Sequence, residues 1–175
     1  IDLTHPLIKS DGDPRPLIRL AAGYKDDTLS FDQLVIYFDE KATDNFDGQL
    51  DALKLMNTDY MVANFYTIGP DGKKLSISAL PVITDTLFRI PLGLSTNLDG
   101  KVLFRISTLE GNLKDMDIYL SDELTEARQD LSDSNTYEVD LPAGQHENRF
   151  FLEFKNLDTG ISDNPAGEDL FRIYS

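Results

Sequence analysis

The sequence predicts an all-β fold, an antiparallel β-sandwich of jelly-roll-like form with about nine or ten strands. Three observations carry this. Apolar and polar residues alternate in several short runs, as in Val102, Phe104 and Ile106, in Tyr137, Val139 and Leu141, and in Phe150, Leu152 and Phe154; that alternation marks half-buried strands. Turn-forming residues separate the runs at the spacing of sandwich proteins. No stretch has the apolar spacing of a long amphipathic helix, and β and α units do not alternate as in a doubly wound sheet.

Residues 1–16 carry His5-Pro6, Asp11-Gly12-Asp13 and Pro14-Arg15-Pro16, and are expected to form an irregular N-terminal arm. Leu17 to Ala21 is the first strand. Leu34-Val35-Ile36-Tyr37-Phe38 is an unbroken apolar run. It is short for a helix and rich in β-formers, so it is expected to be buried on both faces. Asp44 to Asp51 reads as a loop, and Ala52 to Met56 as either a strand or one helical turn. Tyr60 to Ile68 is a strand, followed by the turn Gly69-Pro70-Asp71-Gly72. Leu75, Ile77 and Ala79 form the next strand, and Leu87 to Leu92 the one after. Asn97-Leu98-Asp99-Gly100 is expected to be a hairpin turn. Asp117 to Ser121 is a strand, and the charged run Leu124 to Leu131 allows only a short helix. Tyr137–Leu141 and Arg149–Phe154, joined through Pro142-Ala143-Gly144, read as a half-buried hairpin.

Beyond that pair, Asn156 to Asp169 loses periodicity and gathers Gly160, Pro165, Gly167 and acids. The expected organisation is therefore an arm (1–16), one sandwich domain (17–155), a linker (156–169) and, at 170–175, the truncated start of a further unit. Ile1 is not a natural start, so a processed or trimmed N-terminus is expected. A chain of 175 residues is long enough for one substantial core.

The formal net charge is −15. This disfavours nucleic acid, whose phosphates need Lys and Arg, and anionic lipid. No apolar run approaches a membrane span. Asp outnumbers Glu by 23 to 8, which favours turns over helices and supplies hard oxygen ligands for calcium. The absence of cysteine excludes disulfides, thiolate metal sites and cysteine nucleophiles.

Few residues suggest chemistry. His5 precedes a proline, and His146 is placed in the loop between the last two strands; neither has metal-ligand spacing or an adjacent nucleophile. Asp44, Asp47 and Asp51 recur within one loop. They are the candidate metal ligands, for calcium, and a weaker candidate acid–base pair of a small hydrolase; turn aspartates bonded to local amides are the competing reading. Asp11 with Asp13, and Asp26 with Asp27, are lesser candidates of the same kind. Tyr24, Tyr37, Tyr60, Tyr66 and Tyr119 offer a sugar-stacking platform if the domain is a carbohydrate-binding module, although core or cross-strand placement competes. No catalytic residue is identified and no cofactor other than calcium is suggested.

A set of segments in a fixed order carries a resemblance. It comprises Val35-Ile36-Tyr37-Phe38-Asp39, Ala42 to Asp47, Asp51 to Leu55, Lys74 to Pro81, Ile90 to Leu94, Ile118 to Asp122, Asp130-Leu131, Tyr137 and Arg149 to Phe154. Together they resemble the region that precedes the C-terminal sorting domain in cargo proteins of the Bacteroidetes type IX secretion system, and Leu170 to Ser175 is similar to the opening of that sorting domain. The resemblance implies a non-catalytic structural or adhesive module of a secreted, cell-surface protein, but no ligand residues. The implied partners are a cell-surface glycan or protein and, through the sorting domain, the secretion machinery, with no nucleic acid and no direct membrane insertion.

Overall fold

The computed structural model describes residues 14–27, 30–85, 87–156 and 172–173. The strands are β1 (Leu17–Tyr24), β2 (Asp32–Phe38), β3 (Ala52–Leu53), β4 (Asn64–Ile68), β5 (Lys74–Leu80), β6 (Leu87–Thr96) and β7 (Gly100–Glu110). After a 3-10 turn at Gly111–Asp115 come β8 (Met116–Asp122), β9 (Ala127–Asp130), the single-turn helix α1 (Leu131–Ser134), β10 (Thr136–Leu141), β11 (Gly144–Asn156) and β12 (Arg172–Ile173). The domain is all-β, as its alternation predicts.

Hydrogen bonding joins ten strands in one path, β10-β7-β1-β2-β5-β4-β6-β11-β8-β9. The sandwich is thus one sheet folded over on itself. Its apolar faces meet through aromatic rings. Phe38 of β2 packs edge-on against Phe88 of β6 and Phe154 of β11, with centroids 6.1 and 5.6 Å apart. Phe104 of β7 meets Phe65 of β4 at 5.6 Å and Phe150 of β11 at 5.0 Å. Pairing along the path is antiparallel except between β2 and β5, which run parallel from Val35↔Ile77 to Phe38↔Leu80.

The β2 run is buried on both sides, as its continuous apolar character predicts. Leu34, Ile36 and Phe38 enter the main core. Tyr37 joins Leu17, Ala42 and Ala79 in a second cluster on the other side of the sheet, with Val35, Leu50 and Ile77 packed against it. Residues 39–51 cover that cluster, so the loop is part of the fold.

Two expected hairpins are not hairpins. β6 pairs with β11, β4 and β12, whereas β7 pairs with β1 and β10. Asn97 to Asp99 is therefore a corner that carries the chain from one half of the sandwich to the other. The same holds for β10 and β11: β10 pairs β7, and β11 lies between β6 and β8. Alternation identifies a strand and its buried face, but it does not name the neighbour. The two corners hold each other. The Ala143 amide donates to Asp99 Oδ1 at 2.7 Å, and Thr96 Oγ1 donates to the Pro142 carbonyl at 3.1 Å. Asp99 thus serves the opposite corner instead of its own turn. Gly69 to Gly72 is a true hairpin turn, with Thr67↔Leu75 and Ile68↔Lys74 paired and Gly72 at φ +75°.

Other differences are local. Ala52 to Met56 is a strand only at Ala52–Leu53. The charged run after Leu124 yields β9 and the four-residue α1. Asp130 caps that helix by accepting from the Ser132 amide at 2.8 Å. Tyr66 of β4 lies flat on Gly93 of β6, where a Cβ would meet its ring at 2.1 Å. The arm to residue 13 and the run from 157 to 171 lie outside the described residues. Arg172–Ile173 makes a short parallel bridge to Phe88–Arg89 of β6.

Phe104, Phe150 and Phe154, the aromatic positions of the alternating strands, are all fully enclosed. Phe104→Ala should lower unfolding free energy by about 3–5 kcal/mol, read from urea denaturation midpoints at constant m-value.

Candidate functional site

An open cleft of about 470 Å³ lies between the β8–β9 turn and the start of β11, lined by Glu123, Leu124, Pro142, Gln145, His146, Glu147, Asn148 and Arg149. A bulge in β11 shapes it. The pairing register with β6 jumps from His146↔Leu94 to Phe150↔Leu92. Three residues, Glu147, Asn148 and Arg149, thus stand opposite Gly93 alone. Asn148 takes a left-handed backbone at φ 57°, and Glu126, in the facing turn, does the same. Asparagine tolerates that conformation and glutamate adopts it seldom.

Side-chain networks fix both flanks of the bulge. On one flank Arg149 forms a two-pronged pair with Asp122, Nε to Oδ1 at 2.8 Å and Nη2 to Oδ2 at 2.7 Å. Tyr137 Oη donates to Asp122 Oδ2 at 3.2 Å, and the Leu124 amide donates to Oδ1 at 3.0 Å. The Asp122 side chain is fully enclosed. Burial pushes its carboxyl up, but hydrogen bonds from Arg149, Thr125 and the Leu124 amide outweigh this and hold it below the usual carboxylate range. On the other flank Glu147 accepts from Tyr66 Oη at 3.0 Å and pairs with Lys74 Nζ at 2.7 Å. The Lys74 bond holds the Glu147 carboxyl below its ordinary value.

The outward face of β6, β11, β8 and β9 carries a second network. Glu153 accepts from Ser121 Oγ at 2.8 Å and from Arg128 Nε at 2.9 Å, with Arg89 Nε at 3.2 Å. Arg89 also pairs with Glu123. The guanidinium groups of Arg89 and Arg128 stack on Phe151 and Tyr119, each 3.7 Å from the ring centre. Arg89, Arg128, Glu123 and Glu153 are thus paired with one another.

The structure does not gather the aspartates proposed as calcium ligands. Asp51 is buried and structural: Oδ1 accepts from the Ala79 amide and Oδ2 from the Asp47 amide, both at 2.7 Å. Burial raises its carboxyl above the usual range despite those two bonds. Asp47 Oδ1 accepts from the Gln49 amide at 2.8 Å, the local turn bonding that the loop's composition also allowed. Among the described residues, no group of three or more His, Cys, Asp or Glu side chains, Asp44 included, is placed to hold a metal ion. Asp26 and Asp27 open the β1–β2 connection, with the Asp27 amide donating to the Tyr24 carbonyl at 3.1 Å. His5, Asp11 and Asp13 lie outside the described residues.

The tyrosines do not form a platform. Tyr37 and Tyr66 are buried. Tyr24 Oη bonds the Leu98 amide and carbonyl at 2.9 and 3.1 Å, and Arg128 caps Tyr119. Tyr60, 62% exposed, is the one of the five with an open ring. His146 lies within β11, not in a free loop, with Nε2 2.9 Å from the Pro142 carbonyl oxygen and 3.5 Å from Thr96 Oγ1.

Sequence reasoning missed Asp122 and Arg149. A signal existed for the first. Ile118, Leu120 and Asp122 share the inward phase of β8, and a carboxylate in an apolar phase requires a buried partner. Gln145 and Asn148 carry no such signal, because a bulge appears only when two strands are registered.

Residues 23–154 match a family model described as a domain of unknown function, DUF8693. No curated protein and no solved structure matches the chain.

Two outcomes follow from this geometry. Asp122→Ala leaves Arg149 enclosed without its partner and should cost about 3–5 kcal/mol in urea unfolding. Because folding lowers the Asp122 pKa, its stabilising contribution is present above the unfolded-state value and is lost as pH falls through the lower folded-state value. The stability gap between the parent chain and Asp122→Asn should therefore narrow on acidification. With both Asp51 oxygens engaged by backbone amides, the melting temperature should be the same in calcium and in chelator; a rise in calcium would show a site built from other residues.

Proposed function

Because the chain belongs to the DUF8693 family, whose description assigns no activity, we propose from its own residues that it is a non-catalytic structural or adhesive module of a secreted, cell-surface protein, placed ahead of a sorting domain. One observation carries the non-catalytic part. The three buried acidic residues among those described are satisfied by donors built into the fold: Asp51 by backbone amides, Asp122 by Arg149, Tyr137 and the Leu124 amide, and Glu153 by Ser121 and Arg128. A general acid or base needs an exchangeable proton within reach of a substrate; these groups face partners that hold the sandwich closed.

The surface placement draws support from the ordered resemblance of Val35 to Phe154 to the region before a secretion sorting domain, and from an acidic chain without cysteine. Among the described residues, no helix is long and apolar enough to cross a membrane.

The test has two parts. Antibody against this domain should label intact cells that produce the parent protein, and external protease should remove the label; purely cytoplasmic signal overturns the surface assignment. The isolated chain should leave polysaccharide substrates uncleaved. Reproducible hydrolysis, abolished by Asp44→Ala or Asp47→Ala, overturns the non-catalytic assignment.

A further inference from the structure

We propose that the cleft beside the β11 bulge is a binding site for a neutral glycan. This names a ligand for the adhesive reading above and rests on it. The volume of about 470 Å³ falls within the range of small-molecule sites, about 300–1,000 Å³.

Backbone strain points to this place. Three non-glycine residues among those described have a left-handed backbone: Glu126, Asn135 and Asn148. Asn135 is accounted for as the residue that ends α1, its amide bonding the Leu131 carbonyl. The other two stand on the two loops that border the cleft. Strained positions persist where surrounding structure over-determines them, and they cluster at ligand sites. The surroundings here do so: the Arg149–Asp122 pair and the Glu147–Lys74–Tyr66 group clamp the bulge from both flanks. A clamped bulge is pre-organised, which lowers the ordering cost of binding.

The chemistry of the lining selects the ligand. Glu123, Glu147 and Arg149 are already neutralised, by Arg89, Lys74 and Asp122 respectively. The cleft therefore offers no uncompensated charge to an ionic ligand. The carboxamides of Gln145 and Asn148 make no hydrogen bond among the described residues, and each offers both donors and an acceptor. Hydroxyl groups, which also donate and accept, match them. Leu124, 71% exposed, and Pro142 give an apolar surface for the C–H face of a sugar ring. Beside the cleft β11 pairs with β6 only over Gly144–His146, and β8 joins it from Phe150 onward, so strand addition by an extended peptide is the rival occupant that the test separates from a sugar. No Phe, Tyr or Trp ring lines the cleft, so affinity for a single site should be about millimolar.

The test is a titration of the isotope-labelled chain, followed by amide NMR, with maltotetraose, cellotetraose, mannotetraose and tetra-N-acetylchitotetraose. At least one should give saturable shifts confined to residues 123–126 and 142–149. The double variant Gln145→Ala with Asn148→Gly should lose about tenfold in affinity, two hydrogen bonds' worth. Its melting temperature should hold, since glycine accepts the left-handed backbone at 148. No saturable shift with any of the four sugars overturns the site while leaving a spacer role standing. Shifts that survive the double variant, or a short uncharged peptide that displaces the sugar, also overturn it. Cleavage of the bound sugar would leave the site standing and overturn the non-catalytic reading instead.

Discussion

The Asp122 carboxylate joins parts of the sheet that hydrogen bonding along the strands leaves apart, because it pairs with Arg149 of the neighbouring strand and also accepts from Tyr137 of β10. Asp122 ends β8, and Arg149 leads from the bulge into the regular part of β11. Tyr137, which donates to the same carboxylate, belongs to β10 at the opposite end of the strand path. One buried carboxylate thus links the two ends of a folded-over sheet. Removing two charges from water is costly, and the geometry that offsets this is close to complete here: a two-pronged guanidinium, a phenol and a backbone amide all reach the same group. Such an arrangement specifies register more than it adds stability. Displacing β8, β10 or β11 by one residue would leave a buried charge without its partner.

Asp51 does comparable work on the outer side of the sheet with the opposite electrostatic sign. It uses backbone amides in place of a cation, so burial dominates and its carboxyl is raised, whereas Asp122 with its guanidinium is lowered. Its bonds to Ala79 and Asp47 hold the 39–51 loop over Tyr37, and Tyr37 Oη donates to the Leu50 carbonyl at 2.8 Å. A few residues on, the usual pattern is inverted. Lys54 is buried against Asp32 at 2.5 Å, while its neighbours Leu53 and Leu55 face solvent. The ion pair anchors this stretch to the start of β2, where Asp32 Oδ2 also accepts from the Phe65 amide at 2.7 Å. An acidic composition therefore does not mean idle surface charge: several aspartates act as fasteners between strands and loops.

Gly93 shows how the same economy shapes the cleft. Without a side chain on β6, the Tyr66 ring lies over that strand and its hydroxyl reaches Glu147. On the neighbouring strand, three residues of β11 span the length that Gly93 covers alone. The extra chain has to project, and Asn148 projects at a positive φ. The bulge, the bare glycine and the anchored glutamate form one local solution to a mismatch in strand length, and the cleft results from it.

The sequence by itself determined the strand content, most buried faces and one of the turns. Phe104, Phe150 and Phe154 lie in an apolar phase that two-residue periodicity makes readable, and the unbroken run Leu34–Phe38 announced burial on both sides. The Gly69–Gly72 hairpin was legible because its type depends on backbone freedom at Gly72. Only the tertiary structure decided which strands pair. Asn97–Gly100 and Pro142–Gly144 carry hairpin-like signals yet form corners, since β6 pairs with β4 and β11, and β10 pairs with β7. The site was less legible than the fold. The three loop aspartates were candidate ligands by their clustering, with local turn bonding as the rival reading, and the amides of Ala79 and Asp47 claim Asp51, one of those donors lying 28 residues away. The cleft was invisible for the same reason: a bulge is a difference between two strands, and no single strand's sequence contains it.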